Sequence, residues 1–152
     1  MSTTVKPIPD GYHSITPYLM IPGGKAAEAL DFYTRAFGAK ELARMPRPDG
    51  KIAHAEMQLG DSKIMLADEP PNMHAPHDHS SVNLHVYLPN VDAAVKQATT
   101  VGCSVLRPLA DQFYGDRSAG LKDPFGFHWD LSTHVRDVSA EEMKQHMKTA
   151  AA

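Results

Sequence analysis

Strand, helix, strand, strand, strand is the order of signals along this 152-residue chain, and the chain carries it twice. That repetition limits the fold more than any single motif does. A unit with one helix and one sheet has one apolar interface to bury, and its copy must bury the same interface in the same way. Glycines mark the repeat. Gly38 closes one helical stretch and Gly102 the other, and aligning them brings Leu42 onto Leu106, four residues past each glycine. The hairpin glycines Gly60 and Gly126 then match within two residues. In Leu121–Leu131 a strand ends, Asp123-Pro124-Phe125-Gly126 turns, and a last strand places His128, Asp130 and Ser132 on one face. Met57–Leu66 is the shorter version, with a Gly60-Asp61 turn between two strands.

In chain order, residues 1–14 read as an extended arm punctuated by Pro7 and Pro9. Module one, 15–68, has strands Ile15–Ile21, Glu41–Met45, Lys51–Leu59 and Lys63–Ala67. Its helix, Ala26–Phe37, puts Ala26, Ala29, Leu30, Tyr33, Ala36 and Phe37 on one face, and Gly38 caps it. Residues 69–81 form a linker rich in proline and histidine (Pro70, Pro71, His74, Pro76, His77, His79). Nothing orients those rings, so adventitious metal binding or none is expected there. Module two, 82–132, repeats the order with strands Val82–Leu88, Ser104–Arg107, Asp116–Lys122 and Phe127–Ser132. Its helix, Val91–Val101, has Asn90 or Asp92 near its start. In the tail, 133–152, Ser139-Ala140-Glu141-Glu142 is a capping box that opens a short peripheral helix. The class is α+β.

A formal net charge of −3 argues against nucleic acid and against an anionic membrane surface, since both need a basic patch. No apolar run approaches membrane-spanning length and no signal-peptide core opens the chain, so a cytoplasmic protein is expected. The single cysteine, Cys103, excludes an internal disulfide framework. It reads as a small packing residue, with no neighbouring base to make it a nucleophile.

Splitting each strand by its period of two separates packing residues from candidate chemistry. Ala53, Ala55, Met57 and Leu59 should pack on a helix, leaving Ile52, His54, Glu56 and Gln58 opposite. Val82, Leu84, Val86 and Leu88 leave Asn83, His85 and Tyr87. Trp129 and Leu131 leave His128, Asp130 and Ser132. Ile15, Leu19 and Ile21 leave Thr16 and Tyr18. The second face of each sheet is either solvated or lines a cavity. Histidine paired with acid, amide or phenol (His54/Glu56, His85/Tyr87, His128/Asp130), rather than lysine, favours a ligand cavity.

Asp31–Ala39 (Asp-Phe-Tyr-Thr-Arg-Ala-Phe-Gly-Ala), closing the first helix of a duplicated β-α-β-β-β, resembles the vicinal oxygen chelate superfamily. That superfamily contains glyoxalase I, bleomycin- and fosfomycin-resistance proteins and extradiol dioxygenases. Ile15-Thr16-Pro17-Tyr18-Leu19, His54-Ala55-Glu56, Ile64-Met65-Leu66-Ala67-Asp68 and Gln112-Phe113-Tyr114-Gly115-Asp116-Arg117 are similar to its PhnB-like branch. The resemblance spans about Ile15 to Leu131. It implies a half-open eight-stranded barrel with a concave pocket, commonly in a homodimer. It also implies metal-ligand positions at Thr16, Met65, Asn83 and Asp130, of which only Asp130 is a good ligand for a divalent ion.

The candidate ligand-binding set is therefore Thr16, Tyr18, His54, Glu56, Asn83, His85, Tyr87, Arg117 and Asp130. No cofactor is assigned. A divalent metal would need His54, His85 and Asp130 to converge as two histidines and one carboxylate. Without metal, His54 beside Glu56 is either a general base or half of a hydrogen-bonded polar pair. Arg117 either clamps an anionic ligand or pairs with Asp111 or Asp116. Three functions remain open: a dimeric pocket protein that binds a small metabolite or drug, a metal-dependent lyase, isomerase or dioxygenase, and a scaffold with a vestigial pocket.

Overall fold

The computed structural model describes residues 5–72 and 80–150. The chain divides into two compact units, Met1–Ala75 and Pro76–Ala152. The expected linker straddles that division, and its His74, His77 and His79 lie outside the described residues.

In the first unit β1 (Tyr18–Ile21) leads through a 3-10 turn, Pro22–Gly24, into α1 (Ala26–Phe37). Then follow β2 (Lys40–Pro46), β3 (Ile52–Leu59) and β4 (Ser62–Asp68). The sheet order is β1-β4-β3-β2, with β1 parallel to β4 and the other pairs antiparallel. The second unit repeats the plan with β5 (Asn83–Tyr87), α2 (Val91–Val101), β6 (Ser104–Asp111), β7 (Asp116–Lys122) and β8 (His128–His134), in the order β5-β8-β7-β6. Helix α3 (Ala140–Ala150) follows. Both sheets are mixed and open, and their identical orders make the duplication structural.

Each core lies between a sheet and its own helix. In the first unit Leu19, Ile21, Ala55, Met57 and Leu66 meet Ala26, Ala29, Leu30, Tyr33 and Ala36 in the buried layer. In the second, Ala119, Leu121, Trp129 and Leu131 are buried together with Val91 and Ala98 of α2. Burial of each large side chain contributes about 1.5–3 kcal/mol. Buried acids secure the ends of these layers. Asp68 accepts from the backbone N–H of Ala26 at 2.9 Å and of Ile52 at 2.7 Å, tying the start of α1 to β3. Asp123 accepts from Phe125 N–H (2.8 Å), Phe127 N–H (3.0 Å) and Trp129 Nε1–H (2.9 Å), which locks the turn before β8. Cys103 is buried, and burial pushes its thiol up to about 12, so it is a packing residue.

Four packing expectations change. Ile15 is 85% exposed because β1 begins only at Tyr18. Val82 is 64% exposed, ahead of the first residue of β5. Ile52 is buried and Ala53 exposed, the reverse of strict alternation, because the β2–β3 register slips between Met45 and Pro46. Such a bulge inserts one residue and exchanges faces on either side of it. Ser132 is fully buried although it shares the parity of Asp130.

The tail is pinned to the second unit. Gly115 carbonyl accepts from Val135 N–H at 2.9 Å and Arg136 N–H at 3.1 Å. Only glycine fits there, since its φ is +100° and a Cβ would lie 2.1 Å from the carbonyl oxygen of Arg136. Ser139 and Glu142 form the expected capping box, with Glu142 N–H donating to Ser139 Oγ at 3.2 Å and Ser139 N–H to Glu142 Oε2 at 3.0 Å.

Candidate functional site

On each sheet the candidate polar residues other than Arg117 lie on the face turned away from its helix. On the first sheet, Tyr18 of β1 is in register with Met65 of β4, which is in register with Glu56 of β3. Tyr18 OH lies 2.7 Å from His54 Nδ1, and His54 Nε2 lies 3.1 Å from Glu56 Oε1. A carboxylate only accepts, so Nε2 donates to Glu56. Tyr12, reaching in from the N-terminal arm, donates to Glu56 Oε2, and Lys63 Nζ sits 3.8 Å from the centre of the Tyr12 ring. The Tyr12 hydrogen bond first, and the one from His54 second, hold the Glu56 carboxyl below its usual range. Desolvation, then the charge of Glu56, raises the Tyr18 phenol, so it stays protonated at neutral pH. The result is a phenol–imidazole–carboxylate chain across two strands. Thr16 lies half-buried just before β1.

On the second sheet, the register sets His85, Asp130, Gly120 and Arg107 side by side across all four strands. Asp130 is fully engaged: Asn83 Nδ2 donates to its Oδ2 at 3.2 Å, and Arg107 Nη2 to its Oδ1 at 3.3 Å. Arg107 Nη1 also donates to the buried Ser118 Oγ at 3.1 Å. Gly120 makes this crossing feasible, because a Cβ there would lie 3.3 Å from both Asp130 Oδ1 and Arg107 Cβ. The His85 and Tyr87 rings pack with centroids 4.8 Å apart. Tyr87 OH donates to Asp116 Oδ2 at 2.9 Å, while the other oxygen of Asp116 lies 2.8 Å from His134 Nδ1.

Arg117 is placed elsewhere. Its parity on β7 is that of Ala119 and Leu121, so it lies on the helix side. It grips Asp92 at the start of α2 through two 2.9 Å bonds and Asp111 at 3.2 Å. Its guanidinium is therefore a brace between α2 and β6, and Asp111, one of its two expected rim partners, is the one it meets.

The metal positions do not fit a divalent ion. At the positions implied by resemblance, Met65 is a soft donor, Asn83 a neutral one, and Asp130 already faces a guanidinium cation. Of the alternative trio, His54 has both ring nitrogens in contact with Tyr18 and Glu56, and Asp130 has both oxygens taken. Among the described residues, no three His, Cys, Asp or Glu side chains are grouped to hold a metal.

Sequence reasoning missed Tyr12, Lys63, Ser118, Gly120 and Arg107. The expected strand ended at Arg107, before Pro108, whereas β6 runs on to Asp111. As an edge strand, β6 tolerates proline, which removes a ladder donor only on an open side. Tyr12 had no periodicity to reveal it, because it belongs to an arm without regular structure. Among the described residues, no helix is long and apolar enough to cross a membrane.

The profile of the Glyoxalase/Bleomycin resistance protein/Dioxygenase superfamily matches residues 15–131. An uncharacterised protein of Mycobacterium tuberculosis strain H37Rv is 36% identical over 143 residues, covering 90% of this chain and 83% of its own. Among solved structures, TioX from Micromonospora sp. ML1 superposes with a TM-score of 0.63 at 25% identity, over 80% of this chain and all of its own. A PhnB protein from Bacillus cereus gives a TM-score of 0.63 at 22% identity, over 80% of this chain and 99% of its own. With the duplicated sheets and the matched span together, the chain belongs to the glyoxalase, bleomycin-resistance and dioxygenase superfamily.

Proposed function

We propose that the protein binds a small, polar or aromatic molecule on the helix-free faces of its sheets, and that it acts as a binding protein, as a homodimer. The observation that carries this reading is the polar character of those faces. Tyr18, His54 and Glu56 on one sheet, and Asn83, Asp130 and Arg107 on the other, form hydrogen-bonded sets in which His54, Glu56, Asp130 and Arg107 are half-buried. Polar groups held in fixed positions beside aromatic rings such as Tyr18 and Tyr87 are what orient a ligand in such sites. A metal-dependent lyase, isomerase or dioxygenase is the less favoured alternative, because the donor set does not suit a divalent ion.

A screen of small aromatic and polar compounds by backbone amide NMR tests this. Binders are expected to shift signals around Tyr18, His54 and Glu56 or around Asn83, His85, Tyr87 and Asp130. Shifts confined to the helix side, or no shifts from any compound, would sink the proposal.

A further inference from the structure

We propose that the open face of the second sheet is a receptor for a carboxylate carried by a small molecule. Arg107 is its binding residue, standing as the fixed cation where the superfamily resemblance implies a metal. This rests on the small-molecule reading above and names the ligand chemistry at one of its faces.

Both acids on this face have each of their oxygens engaged from within the fold. Asp130 accepts from Asn83 and Arg107, and Asp116 contacts Tyr87 and His134. What remains unspent is mostly donor. A guanidinium has five N–H groups, and Arg107 commits two, to Ser118 and Asp130. Its side chain stays 41% exposed, so the remaining donors are within a ligand's reach. Lys122 lies two residues from Gly120 on the same face of β7, in register with His128, and makes no ion pair among the described residues. Ser132, in register with both Tyr87 and Ser118, has a buried hydroxyl that finds no partner among the described residues.

Charge points the same way. Arg107 and Lys122 bring two cations to a face whose acids, Asp130 and Asp116, each already have both oxygens in contact with groups of the fold, in a chain whose net charge is −3. Ser118 and Asp130 hold the guanidinium at both Nη atoms, and Gly120 beneath leaves room for it to lie across β7. A guanidinium braced in this way loses little freedom on binding, and its planar fork matches the two oxygens of a carboxylate. A divalent ion at Asp130 would have to displace that cation.

The test compares benzoate with benzamide, a neutral analogue of nearly the same shape, by NMR titration of the wild type, Arg107→Gln and Arg107→Lys. Amide spectra and thermal midpoints check that each variant is folded. The wild type is expected to bind benzoate more tightly than benzamide and to shift the Arg107 Nε–H signal. Arg107→Gln should lose about tenfold or more in benzoate affinity and none for benzamide. Arg107→Lys should fall between. Equal binding of the two probes, or full benzoate affinity in Arg107→Gln, would overturn the inference while leaving a neutral-ligand pocket standing. Failure of every compound in the broader screen would remove both. Mn²⁺ broadening centred on Asp130 in the wild type would also overturn it, because the metal would then hold the place assigned to Arg107.

Discussion

Asp123 shows how one residue fixes a module. Its carboxylate satisfies two backbone donors of the Asp123-Pro124-Phe125-Gly126 turn and the indole of Trp129, all buried. Removing it leaves three donors without partners, at about 1–3 kcal/mol each. Asp123→Ala is therefore expected to lose roughly 3 kcal/mol or more of stability. Urea unfolding followed by the fluorescence of Trp129, the only tryptophan, reads this directly. A loss below about 1 kcal/mol would contradict the assigned role. The turn itself was legible from proline and glycine. The role of Asp123 was not, since its three donors converge only after the chain has turned.

At the scale of elements, both long helices carry the limits expected of them, because their apolar spacing and closing glycines act locally. Asn90 caps α2 as expected, accepting from Ala93 N–H at 3.1 Å. Strand faces were read less well. Alternation holds only between bulges, so the slip near Pro46 reversed Ile52 and Ala53. β8 also runs two residues further than expected, to His134. That extra length lets His134 join the sheet to the tail, with Nε2 2.9 Å from Asp137 and Nδ1 2.8 Å from Asp116. Asp137 first, then Asp116, raises the His134 imidazole above its usual range. A raised value gives stability that is complete below the ordinary histidine pKa of about 6.5 and is lost as pH rises through the raised one. His134→Gln should thus destabilise the protein most at pH 6 and progressively less toward pH 9, in paired thermal melts. A gap that does not change with pH would contradict this.

For the whole molecule, the repeat extends to what is left uncovered. Leu42 and Leu106, matched by the duplication, are 43% and 53% exposed on the edge strands β2 and β6, with Met45 and Val105 beside them. Apolar side chains on open sheet edges are natural contacts for a second copy. Light scattering is expected to give twice the 16.6 kDa chain mass for the wild type. For Leu42→Lys combined with Leu106→Lys it should give the single-chain mass. A wild-type monomer at every concentration would end the dimer proposal.

The sequence by itself determined the duplication, the two helices with their caps, the turn at Asp123, and the faces bearing Tyr18, His54, Glu56, Asn83, His85 and Asp130. These are written in signals a few residues long, where 3.6-residue and two-residue periods and turn chemistry act directly. The tertiary structure alone decided which of those groups are already spent. It closed Asp130 with Arg107 and Asn83, held His54 between Tyr18 and Glu56, and turned Arg117 toward Asp92 and Asp111. Apart from His54–Glu56, two residues apart on β3 and already legible as a pair, each of those contacts crosses strands or joins a helix to one. Hydrogen bonds between residues far apart in the chain depend on register, bulges and room beneath a glycine, which no local pattern encodes.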